Sequence, residues 1–484
     1  MLARLQDPRS DGAVSGAMQP SRSRRGEVMR CGAVALLFAA AFIAPALWNG
    51  GALLRFDSAG YALDARTLRF FEARPMGYAL FLRPFLASGT SGPALFAQSF
   101  FTSLLALRAG MSLVPGARHS LALASAALGA ALLFSPLAAH ASTLMPDVFT
   151  SWLLLGGALV LLAARRGDLW LGGVAWLVSL CVHSTHLPVA LAMLVIAFAA
   201  TARGPLAQPA LRRRLALLAG LVPVALATQA AVARAVGFAG PLFGHPAFLV
   251  SRQHTMGVLV DTLARRCGER AWKLCVYRDT IASHPSDDAA WLLWYRESPF
   301  GRIGRFTARS ELGEIAWEGL RAHWPLIVTE TLRGAVQQFF QVETSTELDS
   351  RPARGYAQAL RHELPEESAR AAASRQASGR PVLASLFAPH EDALHAALVL
   401  ACALVAAVCA WRGRARAALF LAATLVFLAI HAFVVSFGTS PLGRYQGRIA
   451  GLVPFALALG VASLVGRSGD ARAQDSARRS DSLP

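Results

Sequence analysis

The run "AALFLAATLVFLAIHAFVVSF", residues 417–437, contains no Asp, Glu, Lys or Arg, and "RGRAR" at 412–416 stands directly before it. A helix of about 20 apolar residues crosses a bilayer core of about 30 Å, and basic residues gather at its cytoplasmic end. Working outward from this segment, comparable runs occur at Cys31–Trp48, Ala94–Leu107, His119–Ala139, Val148–Ala164, Leu169–His183, Pro188–Ala202, Leu215–Val236, Leu394–Trp411 and Ile449–Val465. With the opening segment they make about ten spans. Only 16% of the 484 residues are charged and 55% are hydrophobic, where a soluble chain carries about a quarter charged residues. The fold class is an all-α polytopic membrane protein with a mainly helical extracytoplasmic domain.

The net charge of +18 does not indicate a nucleic-acid partner, because the arginines cap apolar segments and set topology. Arg108 and Arg118, Arg165 and Arg166, Arg203 with "RRR" at 212–214, and "RGRAR" fall on one side. The facing segments "HASTLMPD" (140–147) and "HSTHLP" (183–188) contain neither Lys nor Arg. This places both termini in the cytoplasm of a multi-pass protein of the bacterial inner membrane. The organisation is a basic tail at 1–30, a transmembrane module at 31–236 with an outer loop at 50–93, an extracytoplasmic domain at 237–393, a transmembrane module at 394–466, and a polar tail at 467–484. The domain at 237–393 is rich in helical patterning, as in "ELGEIAWEGLRAHWPLIVTETLRGAVQQFF". Cys267 and Cys275 fall within it, and an oxidising compartment suits a disulfide between them, the other reading being two buried thiols.

Two outer segments break the charge rule, the stretch 56–85 and "GRYQGR" at 443–448, and they hold the candidate chemistry. Asp57, Asp64, Glu72 and Asp147 all map to the outer interface, where ionisable groups are costly and tend to be functional. Asp57, just after the first span, and Asp147, opening the fourth, are each suited to act as a general base on an acceptor hydroxyl or amine. Asp147 also fits a helix N-cap. Asp64 and Glu72 fit an amphipathic interfacial helix through "ALDARTLRFFEARP", paired with neighbouring arginines. Arg74 and Arg444 lead the candidates for gripping a phosphate, ahead of Arg83 and Arg448, with lipid headgroups as the other ligand class. His140, His183 and His186 share this face. "HSTH" places two imidazoles at i and i+3, a spacing open to metal ligation or to local hydrogen bonding.

Together these residues resemble a family. An acid after the first span followed by "ARPMGYALFLRPF" is similar to the "RPPGYPLFL" region of GT-C glycosyltransferases, the class of dolichyl-phosphate-mannose–protein mannosyltransferases and bacterial aminoarabinose transferases. "STLMPDVFTSWLLLGGAL" resembles their second outer loop, and "SPLGRYQGRIAGLVPFALALG" the start of a late span. Met76 replaces the usual second proline. "RRCGERAWKLCVYRDTIASHPSDDAAWLL" looks like an outer-domain segment of uncharacterised bacterial members. The resemblance implies a polyprenyl-phosphate sugar donor drawn from membrane lipid and an acceptor that is lipid, glycan or protein. It implies Asp57 as catalytic base and Asp147 as a second acid, with room for a divalent cation. Arg74, Tyr78, Arg444, Tyr445, His183 and His186 would bind substrate and phosphate. A flippase for lipid-linked sugars, a surface-polysaccharide polymerase or ligase, and a non-catalytic scaffold are the rival readings.

Overall fold

The structure, a computed structural model, describes residues 21–70, 74–114, 119–202, 208–238, 245–286, 289–304, 308–345, 348–383 and 390–465. Glu72 and much of both expected tails lie outside these. Regular structure in the described residues is helical, apart from one isolated parallel bridge between Leu53 and Thr143.

Each expected span corresponds to a helix. Six helical segments have the length and composition to cross a membrane: Arg25–Asn49, Gly92–Leu113, Pro209–Ala235, Glu391–Trp411, Ala415–Gly438 and Gly443–Val465. Shorter apolar helices cover Ser120–Leu133, Pro146–Leu162 and His186–Ala202, and Arg166–Val182 completes the set. Three spans are interrupted, the first by a one-residue break at Ile43 between Ser21–Phe42 and Ala44–Asn49. The run expected as His119–Ala139 stops as a helix at Leu133 and resumes at Leu137–Ala141. Pro136 at the join has no N–H to donate and biases Ser135 away from helical geometry. After this break His140 is fully buried beside Asp147. The last span likewise begins with a separate helix, Gly443–Ala450, before Leu452–Val465.

The outer loop at 50–93 folds as two helices, Ser58–Thr67 and Gly77–Leu86. The amphipathic helix expected through 62–75 therefore ends early. Leu68 takes left-handed backbone angles (φ 56°, ψ 23°) and its N–H donates to the Asp64 carbonyl, closing the helix. Behind this loop, Leu53 N–H donates to the Ser142 carbonyl at 2.9 Å and Leu144 N–H to the Leu53 carbonyl at 3.1 Å. Those two bonds tie the chain before Asp57 to the chain before Asp147.

The segment at 237–393 contributes to three buried clusters, the smallest joining Leu348 and Val382 to Leu53 and Ala139. Residues between Ala247 and Ala316 build a cluster around Phe300, Leu292 and Leu312, against which Cys267 and Cys275 pack. These two cysteines are joined in a disulfide, with Cα atoms 5.5 Å apart. The helices Ser350–Leu360 and Pro365–Ala372 instead join the main core through Tyr356 and Leu360. Gln376 clamps the outer loop, accepting from Leu54 N–H at 3.0 Å and donating to the Leu54 carbonyl at 2.7 Å. Between the two parts, the patterned stretch forms the helix Arg309–Phe340, bent at His323 just before Pro325.

The glycine of "RPMGY" is explained by packing. A Cβ on Gly77 would lie 2.2 Å from the carbonyl oxygen of Cys181, whereas one on Gly129 would meet nothing within 4 Å. We expect Gly77→Ala to destabilise the detergent-purified protein by about 1–3 kcal/mol, with Gly129→Ala near neutral. Thermal unfolding of the two variants side by side checks this, and equal midpoints would refute the packing account.

Candidate active site

The site forms where the outer loop, the 137–149 turn and the Gly443–Ala450 helix meet. Asp57 directly precedes the Ser58–Thr67 helix but makes no side-chain cap. Its carboxylate pairs instead with Arg74, Nη2 to Oδ1 at 2.6 Å, and with Arg444, Nη2 to Oδ2 at 3.8 Å. The Asp57 side chain is 27% exposed and that of Arg74 16%, so this pair stands at the mouth. Burial works against the charge on Arg74, but the carboxylate of Asp57 outweighs it and holds the guanidinium above its ordinary range. Gly60 makes the pairing feasible, because a Cβ there would come within 1.9 Å of Arg74 Nη1. The Arg74 guanidinium also lies over the Tyr61 ring, 5.4 Å from its centroid. Burial, and then the charge of Asp57, push the Tyr61 phenol above its ordinary range, so it stays protonated.

Behind the mouth lies a second acid. Asp147 sits in a short 3₁₀ turn, Pro146–Phe149, and makes no N-cap bond. Its Oδ1 is 3.4 Å from Arg448 Nη1 and its Oδ2 is 3.6 Å from His140 Nδ1. Both side chains of the Asp147–Arg448 pair are 1% exposed. Burial lowers the pKa of the His140 imidazole more than the adjacent Asp147 raises it, which keeps the ring neutral. Arg448 Nη1 also lies 3.1 Å from His183 Nε2. A guanidinium only donates, so this nitrogen accepts, while Nδ1 lies 3.2 Å from the Thr185 backbone nitrogen and 2.9 Å from Thr185 Oγ1. Tyr445 sits between the two arginines of its helix, its ring centroid 5.2 Å from the Arg444 guanidinium and 5.0 Å from that of Arg448. The mouth and the inner pair form one electrostatic unit, since Arg444 acts on Asp147 as well as on Asp57.

The other sequence-picked residues take supporting places. Tyr78 is buried in the wall, its ring edge-on to Tyr61 at 5.1 Å and its hydroxyl donating to Gln98 Oε1 at 3.1 Å. Arg83 caps the Ser58–Thr67 helix by donating to the carbonyls of Ala65 and Arg66. His186 uses both nitrogens: Nδ1 donates to the Ser179 carbonyl at 2.7 Å, leaving Nε2 to accept from Thr150 Oγ1 at 2.9 Å. A metal ligand needs a free lone pair, and in the "HSTH" pair those of His183 and His186 are engaged. Among the described residues no group of three His, Cys, Asp or Glu is placed to hold a metal ion.

Sequence reasoning ranks Arg448 behind Arg444 and gives Arg55 no role. In the fold Arg448 becomes the partner of Asp147, and Arg55, 1% exposed, donates to the Thr344 carbonyl and adds positive charge beside His140. The available signal was position, since each arginine falls in a segment that the charge pattern expects to be free of them. His431, on the Ala415–Gly438 helix, meets Gln446 at 3.3 Å and so borders the same cluster. Asp147 Oδ2, Arg448 Nη2, both ring nitrogens of His140 and His431 Nε2 are buried without a hydrogen-bond partner among the described residues. Buried polar atoms are nearly always bonded in native proteins, so a group of exceptions marks a place built to receive polar atoms.

No protein-family model and no curated protein matches this chain. A solved structure similar to it is that of ArnT from Cupriavidus metallidurans in the apo state, at 16% identity and a TM-score of 0.32, with 90% of this chain and 78% of that chain covered.

Removing one partner of a buried ion pair strands the other charge. Arg448→Met is therefore expected to cost about 3–5 kcal/mol of stability, and Asp147→Asn combined with Arg448→Met to recover most of that loss. Thermal unfolding in detergent reads both variants, and an equal loss in the single and the double variant would show that the pair does not hold this part of the fold.

Proposed function

We propose that the protein is a GT-C-type membrane glycosyltransferase that moves a sugar from a polyprenyl-phosphate donor to an acceptor on the extracytoplasmic face. The observation that carries this reading is the mouth of the site, where a partly exposed carboxylate, Asp57, lies between two guanidiniums, Arg74 and Arg444. A base beside a cationic clamp is what displacement of a phosphate leaving group requires. The acceptor hydroxyl or amine gives its proton to Asp57 as its heteroatom bonds the anomeric carbon. The bond from that carbon to the phosphate oxygen breaks, the configuration inverts, and the pair of electrons leaves on the phosphate. Arg74 and Arg444 take up that charge, with Tyr445 stacked between Arg444 and Arg448 to fix the direction of the clamp. In the resting arrangement Arg74 neutralises Asp57. An arriving phosphate competes for Arg74 and releases the carboxylate to act as a base.

Asp147 and Arg448 hold the floor of the site, where the unpartnered buried polar atoms suit sugar or acceptor hydroxyls. The membrane setting gives the donor its solvent, since the lipid tail stays in the bilayer while the headgroup reaches the mouth. By the arginine pattern the site faces outward from the bacterial inner membrane and both termini face the cytoplasm.

Membranes containing wild type or Asp57→Asn, at matched protein levels, are supplied with a radiolabelled polyprenyl-phosphate sugar pool. Transfer to lipid, glycan or protein is expected with wild type and to fall by about 10²–10⁴-fold in the variant. Equal transfer by the two would remove Asp57 from the chemistry. Arg74→Lys keeps the charge but loses the planar fork, and a rise in the donor concentration needed for half-maximal transfer is expected of it.

A further inference from the structure

At the end of the bundle opposite the candidate site, a cavity of about 1260 Å³ opens between the helices. Its rim carries Arg30, Arg108, Arg165, Arg214 and Arg416, against the acids Glu27 and Asp168. Arg108 bonds Asp168 at 2.8 Å through Nε, and Arg165 bonds Glu27 at 2.7 Å, so both acids are already neutralised. Arg214 donates to the carbonyls of Leu161 and Ala163, each at 2.6 Å. Arg30 and Arg416 make no ion pair among the described residues. The rim thus has an excess of positive charge with two guanidiniums left to meet an anion.

Below the rim the walls are apolar, through Leu154, Gly157, Trp176, Leu194 and Phe427. The depth follows from the helices themselves. Arg416 to Phe427 on one wall and Ala190 to Thr201 on another each span about 16 Å at 1.5 Å per residue. That is half of a hydrocarbon core of about 30 Å, the thickness of one leaflet. The volume exceeds the roughly 300–1,000 Å³ of small-molecule pockets. A basic rim over an apolar shaft one leaflet deep matches a phosphate headgroup on acyl chains, and basic pockets between transmembrane helices are a recurring setting for anionic lipids.

We propose that this cavity binds an anionic glycerophospholipid of the leaflet on the basic face, with its acyl chains in the shaft and its phosphate at Arg30 and Arg416. The site is separate from the proposed transfer chemistry, and its occupancy does not depend on that reading.

Full-length protein purified in mild detergent is mixed with phosphatidylglycerol or phosphatidylcholine, and retained lipid is measured by native mass spectrometry. Wild type is expected to retain phosphatidylglycerol with at least about tenfold preference, since each surface arginine contributes about 1 kcal/mol, or about fivefold, toward anionic lipid and two act together. The double variant Arg30→Gln/Arg416→Gln, both positions lying at the accessible rim, is expected to lose the preference while keeping its unfolding midpoint. Ala158→Phe, which narrows the shaft, is expected to lower retention of both lipids. Equal retention of the two lipids by wild type, an unchanged preference in the double variant, or retention unaffected by Ala158→Phe would each overturn the proposal. A wild type that retains no lipid would do so as well, and would point to a segment of the chain itself as the occupant.

Discussion

Two charges with 1% side-chain exposure, Asp147 and Arg448, face each other between segments 301 residues apart in sequence. In a low-dielectric interior neither is tolerable alone. Their pairing therefore fixes where the Gly443–Ala450 helix docks, and with it the direction of Arg444, one turn earlier on the same helix. Arg444 is the residue that reaches Asp57. The order of dependence runs from the buried pair outward: pair, helix, second guanidinium, mouth. His140 and His183 add neutral dipoles around Arg448 without adding charge to be compensated.

A second constraint works on the other acid. Asp57 lies in a loop that is positioned by main-chain bonds of Leu53 to Ser142 and Leu144, and by the side chain of Gln376 on Leu54. Side-chain packing alone would leave such a loop free to slide, whereas directional hydrogen bonds set its register. Gln376 comes from the segment that follows the outer helices, which gives that segment a definable task. It closes the loop from above, as Glu367 does a little further along by accepting from Ser91 N–H at 3.1 Å. The segment 348–383 is thus partly a clamp on the site.

Much of this was legible in the sequence, and the rest was not for specific reasons. Membrane spans are read from composition because the bilayer forces every backbone group to bond within its own helix, and Ala417–Phe437 needs no partner to declare itself. The acids and arginines of the site were visible as violations of charge patterning, which is why Asp57, Asp147, Arg74 and Arg444 are found together at one end of the bundle. Which acid meets which arginine was not legible. Arg74 pairs with Asp57, seventeen residues away, because Leu68 reverses the chain. Arg448 outranks its position in the motif because helical phase points it inward, a consequence of the break before Leu452 that the apolar run conceals. Arg55 was hidden for a different cause: its bond to the Thr344 carbonyl joins residues 289 apart, and no local pattern announces it.

The site also runs against the stability of the fold around it. Interiors rarely leave polar atoms unbonded, since each costs about 1–3 kcal/mol, yet among the described residues five gather at Asp147, His140, Arg448 and His431. The charges could be replaced by apolar residues of similar volume with little loss, and often with gain. Folding alone does not call for a buried pair of charges beside the partly exposed pair at the mouth. The mouth has the same character, with Gly60 leaving room for a guanidinium that a single methyl group would displace. The close packing of Gly77 on Cys181 and the clamp of Gln376 on Leu54 are rigid features placed beside these costly ones. Rigid supports around strained, under-bonded polar groups are the arrangement expected when geometry at a few atoms matters more than the stability of those atoms.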